Sequence, residues 1–275
     1  MPSQLEKAKA FRALHERPGA FIIPNPWDAG TAKLLAALGF EALATTSLGL
    51  ANTLGSSTVS LDAILDNCRA IAEATPLPVS VDLENCGAHE PRRAAEAIRR
   101  AAEAGAVGGS IEDSTGDRER PIYDFALAVE RVQAAVEAAR ALSIPFTLTA
   151  RAENLLHGRN DLDDTIRRLR AFEAAGADVL YAPGVRDLAT IKTVVASIGK
   201  PFNLVMGFAD PTLTLPQLSA AGVKRISVGG AMSRLALAAF LRSAREMKDN
   251  GSFTYIREMA GIAELRGAFA SVDAT

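Results

Sequence analysis

Apolar and polar positions alternate most clearly at 78–84. There Val79, Val81 and Leu83 are apolar, while Ser80, Asp82 and Glu84 are polar. In a strand this puts one apolar face against one face that carries two carboxylates. The same alternation recurs at 146–151, with Phe146, Leu148 and Ala150 against Thr147, Thr149 and Arg151. Between such runs the period changes to that of a helix. Leu5, Ala8, Phe11 and Leu14 predict a helix over 3–16. A short strand at 20–24 follows, then a turn at 25–28 in which Asp28 caps a helix over 29–38. Strand 41–46 opens into a polar, glycine-containing connection, 47–60, and a helix over 61–74 leads to the strand at 78–84. The order continues with helix 91–105, strand 108–112, polar loop 114–120, helix 122–142 and strand 146–151. It ends with helix 161–175, strand 178–182, helix 186–198, strand 202–206, helix 214–221, strand 225–228 and helix 231–247.

These are eight strand-then-helix units. The expected fold is an α/β (β/α)8 TIM-type barrel, residues 1–275 forming one domain. A doubly wound open sheet is the rival, but the chain has no glycine-rich dinucleotide fingerprint. Residues 249–275 exceed the eight units. Gly251 breaks the chain, and 255–269 predicts one more helix, which folds back on the barrel or packs on a neighbouring subunit.

Composition narrows the function. The net charge of −2 gives no reason to expect nucleic acid or an anionic membrane as partner. No apolar run is long enough to span a bilayer, and the polar start of the chain is not a signal peptide. Two cysteines, Cys68 and Cys86, are too few for a disulfide framework, so a cytoplasmic protein with reduced thiols is expected.

In a barrel the chemistry sits where strands run out into helices. Ser47, Asp82, Glu84, Glu112, Asp113, Arg151, Tyr181 and Asn203 fall at or near such positions. The alternation should turn Asp82, Glu84, Glu112 and Arg151 inward at one end. Three acids and one arginine in one cavity are costly without a metal and an anionic ligand. With Mg²⁺ on the acids, or Mn²⁺ as an alternative, the guanidinium can grip a substrate carboxylate. No lysine is placed for a Schiff base, and no histidine pair has zinc spacing. His15 reads as a surface helix residue. His89 and His157 follow strands three and five, where pocket-facing rings stay open as a reading. Cys86 reads as a small buried thiol. Gly229-Gly230 has the look of a phosphate-binding corner.

The stretches Ser80–Asn85, Ser110–Asp113 and Thr149–Asn154 resemble the isocitrate lyase/phosphoenolpyruvate mutase superfamily, over nearly the whole chain. The resemblance implies that Asp82 binds Mg²⁺ directly, with Glu84 and Glu112 holding it mostly through waters. It implies that Arg151 binds a substrate carboxylate and that backbone around Ser47, Leu48 and Gly49 supports the other substrate oxygens. Arg151, Glu112 and Ser47 are thus the candidate catalytic residues. Asn203 joins Ser47, Leu48, Gly49 and Arg151 as a substrate-binding candidate. The implied chemistry is enolate-forming cleavage of a C–C bond in a small 2-oxo (di)carboxylate, by a homotetramer that exchanges its eighth helix. Two departures stand out. Loop 114–121 has neither the cysteine nor the lysines of the lyase members, and 54–58 lacks the aspartate of the mutases. A 2-oxo acid binding protein of low or no activity, or a phosphate-binding isomerase using Gly229-Gly230, are the alternatives.

Overall fold

The computed structural model describes residues 1–273. Among them run eight parallel strands: β1 (Phe21–Ile23), β2 (Leu43–Ala44), β3 (Val79–Asp82), β4 (Gly108–Glu112), β5 (Thr147–Arg151), β6 (Val179–Tyr181), β7 (Phe202–Val205) and β8 (Arg225–Ser227). They pair in the order β1-β8-β7-β6-β5-β4-β3-β2. The ring comes together between β1 and β2 where the Ala44 N–H donates to the Pro24 carbonyl at 3.0 Å. This is the expected barrel. Around it, after an N-terminal α1 (Gln4–Glu16), come α2 (Ala29–Ala37), α3 (Ser47–Leu54), α4 (Leu61–Glu73), α5 (Pro91–Glu103), α6 (Phe125–Arg140), α7 (Leu162–Ala174), α8 (Leu188–Ala196), α9 (Leu215–Ala220), α10 (Ala231–Asn250) and α11 (Ile262–Asp273). No described helix is long and apolar enough to cross a membrane.

The register explains how polar side chains reach the barrel interior. Residues paired across parallel strands project to the same face. Glu112 pairs with Arg151, Arg151 with Tyr181, Tyr181 with Asn203, Asn203 with Arg225, and Arg225 with Phe21. Glu112, Arg151 and Tyr181 end their strands, whereas Arg225 and Phe21 begin theirs. The row therefore spirals from the mouth to the floor and carries acid, cation, phenol, amide, cation and ring in turn.

Helix α1 plugs the floor. Ala8, Phe11 and Leu14 pack with Phe21, Ile23, Ala42 and Val107 in a cluster of their own. This placement corrects the expectation for His15. It is partly buried, edge-on to Phe11 and Phe21, because the helix lies across the barrel rather than beside it. Its Nδ1 bonds to the Phe11 carbonyl at 2.8 Å, so Nε2 is left as an acceptor facing Arg225 Nη1 at 3.5 Å.

Other differences are local. The connection expected at 47–60 holds α3, started by Thr46, whose hydroxyl accepts from the Gly49 N–H. The strand expected to reach residue 84 stops at Asp82, where Glu84 turns left-handed at φ 50°. Helix α10 runs to Asn250 and stops at Gly251, φ 62°. The tail helix begins later than predicted, at Ile262, after a 3-10 turn at Thr254–Glu258. It packs on α2 of the same chain, with an ion pair between Lys33 and Asp273. The helix that stands off the barrel is α10, which buries only Ser233.

Candidate active site

Three strand ends meet at Arg151. Its Nη1 lies 2.9 Å from Asp82 Oδ1, its Nη2 3.0 Å from Glu112 Oε2 and its Nε 2.8 Å from Glu153 Oε1. The guanidinium also sits over the Tyr181 ring, 4.9 Å from its centroid. Asp82 ends β3, Glu112 ends β4 and Arg151 ends β5, so the inward alternation expected for these three holds in the structure. Asp82 Oδ2 accepts from both the N–H and the hydroxyl of Ser47, at 3.2 and 2.9 Å. Ser47 thus enters the site as the first residue of α3.

Glu84 reaches the site by another route than strand alternation. Beyond β3 the chain folds into a tight turn in which Glu84 and Cys86 both have positive φ, 50° and 65°. The Cys86 N–H closes the turn on the Leu83 carbonyl at 2.8 Å. Non-glycine residues in this region are strained and need support. Arg131, from α6, supplies it by donating to the carbonyls of Asn85, Ala88 and His89. The Glu84 carboxylate then lies close enough to Asp82 and Arg151 to feel both charges.

Glu153 is the residue that sequence reasoning left out of the site. It is 2 % exposed and lies two positions beyond Arg151. Its backbone N–H donates to Asp113 Oδ1 at 2.8 Å, and Asp113 Oδ2 is paired with Arg168 Nη1 at 3.0 Å. Burial pushes the Asp113 carboxyl up to about 6 despite these partners. The only local signal was an acid inside the Thr149–Asn154 stretch.

The electrostatics are lopsided. Burial, reinforced by the neighbouring carboxylates, holds Glu112 well above the usual carboxylate range against the pull of Arg151. Glu84 is raised as well, by burial first and Asp82 second. Four acids face one guanidinium. Such a negative excess fits a divalent cation, and a donor set made only of carboxylate and hydroxyl oxygens fits Mg²⁺ rather than a softer metal. Cys86 adds no soft ligand, since burial pushes its thiol up to about 12. No group of three or more His, Cys, Asp or Glu among the described residues forms a ready cage. Mg²⁺ does not ask for one, because it keeps several waters and uses one or two carboxylates.

Beside the Asp82–Arg151 pair a cavity of about 60 Å³ runs into the barrel, past Tyr181, Asn203 and Arg225. Asn203 sits one layer below the mouth, with Nδ2 on Ser227 Oγ at 3.1 Å and Oδ1 accepting from Arg225 Nε at 2.8 Å. Leu48 is half exposed, and its side chain fills the space over Gly230, where a Cβ would come within 2.7 Å of it. Gly49 allows α3 to lie close to Trp27, since a Cβ there would come within 2.9 Å of the Trp27 Cβ. The Gly229-Gly230 corner does not offer a phosphate nest. The N–H groups of Val228 and Gly229 both donate to Asn25 Oδ1 at 2.8 Å. His89 and His157 are exposed and line no part of this cavity. His89 instead bonds Tyr123 at 2.8 Å.

Comparison with known proteins agrees with this geometry. The family described as phosphoenolpyruvate phosphomutase matches residues 11–248. A solved structure of a provisionally assigned lyase/mutase from Burkholderia cenocepacia J2315 is 58% identical, with a TM-score of 0.94 over 97% of this chain and 96% of its own. The 2-methylisocitrate lyase of Escherichia coli (strain K12) is 30% identical over 230 residues, 78% of this chain and 75% of its own. The oxaloacetate decarboxylase of Ectopseudomonas mendocina (strain ymp) is 28% identical over 259 residues, 90% and 86% of the two chains.

Proposed function

The chain belongs to the phosphoenolpyruvate phosphomutase family, and from that premise we propose that it is a lyase that cleaves a C–C bond of a small 2-oxo acid with Mg²⁺. The observation that carries the reading is Arg151, held by Asp82, Glu112 and Glu153 within one buried cluster. Relatives that cleave 2-methylisocitrate and decarboxylate oxaloacetate support the reaction class. Asp82 would hold the metal directly, with Glu84 and Glu112 reaching it through waters. Mg²⁺ bound there supplies Lewis-acid stabilisation of the oxyanion that develops when the bond breaks.

The chain's own residues do the rest. Were Asp82 and Glu112 to hold a cation, two of the three anionic partners of Arg151 would be engaged elsewhere, and its planar fork would be the group to bind a substrate carboxylate. The first turn of α3 gives its Ser47 N–H to Asp82 and its Gly49 N–H to Thr46, so Ser47, Leu48 and Gly49 would support substrate oxygen mainly through the helix N-terminus they form beside Asp82. Glu153 keeps its contact with Arg151 Nε and so holds the fork in place. Loop 114–121 brings no cysteine to protonate a product. That loop favours decarboxylation or a retro-aldol step whose proton comes from another group, and it also motivates the second reading, a 2-oxo acid binding protein. The assay is pyruvate release from oxaloacetate and from 2-methylisocitrate, with and without Mg²⁺. Mg²⁺-dependent turnover of one of them is expected. Binding without turnover selects the second reading, and neither binding nor turnover refutes both.

The chain is also proposed to work as a homo-oligomer, a tetramer by the resemblance noted above. Helix α10 exposes Leu235 at 72% and Phe240 at 67%, with Leu241 beside them. An apolar face of that kind on a single helix calls for a cover, and a second copy offering the same helix is the partner the family resemblance implies. Light scattering at micromolar concentration tests it, and a monomer rejects it.

A further inference from the structure

Tyr181 closes β6, in register between Arg151 and Asn203, and its side chain is directed into the cavity. The residue is 9% exposed. Its hydroxyl has no hydrogen-bond partner among the described residues. Buried phenols nearly always find a partner in the protein. Here the ring is fixed, because the Arg151 guanidinium lies over it, and the hydroxyl opens onto the same small space that Asp82 and Arg151 border.

That space is polarised. On one side stand the carboxylates around Arg151. On the other stands Arg225, 5% exposed, whose contacts are all neutral: Asn203 Oδ1 at 2.8 Å, Thr149 Oγ1 at 2.9 Å and His15 Nε2 at 3.5 Å. A buried guanidinium without a carboxylate leaves positive potential in its surroundings. Tyr181 lies between that carboxylate cluster and Arg225, so an anionic ligand oxygen on the Arg225 side meets its positive charge and one unused donor together. The volume, about 60 Å³, admits a carboxylate or an enolate oxygen and its carbon but no bulky group.

We propose that the Tyr181 hydroxyl binds the ligand directly, donating a hydrogen bond to an anionic oxygen of a small, planar oxo acid. The phenol is suited to donate at any working pH, because burial pushes its pKa up beyond the usual tyrosine range. The proposal rests on the 2-oxo acid reading above and adds to it the group that selects for an anionic oxygen where the cavity enters the barrel.

The test is Tyr181→Phe, which keeps the ring under Arg151 and deletes only the hydroxyl. The probe is oxalate in the presence of Mg²⁺, since its two coplanar carboxylates copy the shape and charge of a 2-oxo acid enolate. Calorimetry should show oxalate bound about ten- to a hundredfold more weakly by the variant. The melting temperature without ligand should be unchanged or higher, because a hydroxyl with no protein partner contributes nothing to folding. Equal oxalate affinity in both proteins overturns the role of Tyr181 and leaves the 2-oxo acid reading standing. A lower melting temperature in the variant shows that the hydroxyl serves the fold, and overturns the proposal too. A wild type that binds neither oxalate, pyruvate nor oxaloacetate removes the ligand, and both readings fall.

Discussion

Replacing Arg151 by lysine keeps the charge and removes the geometry. The guanidinium makes three charge-assisted hydrogen bonds of 2.8, 2.9 and 3.0 Å, to Glu153, Asp82 and Glu112, with only 13% of its side chain exposed. A single ammonium on a thinner stem can keep one of them well. Two lost bonds of this kind cost about 3–6 kcal/mol gross. Part returns, because the ammonium keeps its charge beside the carboxylates it no longer bonds. A net loss of about 3 kcal/mol follows, at the lower end of what breaking a buried pair costs. For a chain of this length that lowers Tm by roughly 5–6 °C. The ligand should suffer separately. Pyruvate affinity at saturating Mg²⁺ should fall about ten- to a hundredfold with the loss of the planar fork. Mg²⁺ affinity without pyruvate should hold or rise, since Asp82 is freed. Differential scanning calorimetry and two titrations decide it. An unchanged Tm together with unchanged pyruvate affinity would remove Arg151 from the centre of the site.

Three more outcomes follow from single contacts. Asp82→Ala should abolish Mg²⁺ binding in calorimetry while Ser47 keeps its place in α3, and unchanged Mg²⁺ affinity rejects the metal assignment. His15 is held neutral down to about 3 by burial first and by Arg225 second. Its folded pKa lies below the unfolded value of about 6.5, so its contribution is complete above that pH and is lost as pH falls toward 3, by at most about 5 kcal/mol. Urea midpoints of His15→Gln and wild type should therefore converge on acidification, and parallel pH dependences contradict the placement. Arg131→Met removes the clamp on three carbonyls of the turn at Asn85–His89. It should weaken Mg²⁺ binding through Glu84 more than it slows any step that depends on Arg151, and an unaltered Mg²⁺ titration rejects that role.

Much of the barrel was legible because its strands and helices alternate with different periods, and because Asp82, Glu112 and Arg151 each lie on a strand's polar face. What was not legible has physical causes. Helix α3 is short and mixes the good helix formers Leu48, Leu50, Ala51 and Leu54 with Ser47, Gly49, Asn52 and Thr53, which are weak ones. Its existence depends on the Thr46 cap and on close packing against Trp27 that Gly49 allows. Glu84 was expected in the site for the wrong reason, since alternation ends two residues earlier and only Gly87 hints at the turn. His15 looks exposed in a helix diagram, and only the position of α1 across the floor encloses it. Glu153 is buried by Asp113 and Arg168, which lie far from it in sequence.

These misses share a pattern that bears on how the site is held. The acids of the mouth repel one another, so each must be fixed by something outside the cluster. Two further arginines from the surrounding helices do this by different means. Arg131, 1% exposed and stacked 4.6 Å from the Tyr123 ring, spends its donors on carbonyls of the Glu84 turn. Its Nε has no partner among the described residues. Arg168 from α7 pairs with Asp113, also bonds the Tyr123 carbonyl at 3.2 Å, and through Asp113 fixes the Glu153 backbone. Both touch Tyr123, which ends the loop after β4. The loops that carry Glu84 and Glu153 are therefore tied to one aromatic residue between α6 and α7, while Arg151 ties the carboxylates themselves. Asp82 and Glu112 are the carboxylates that would hold a cation, and the outer arginines hold the backbone of the Glu84 and Glu153 loops whichever partner those carboxylates choose.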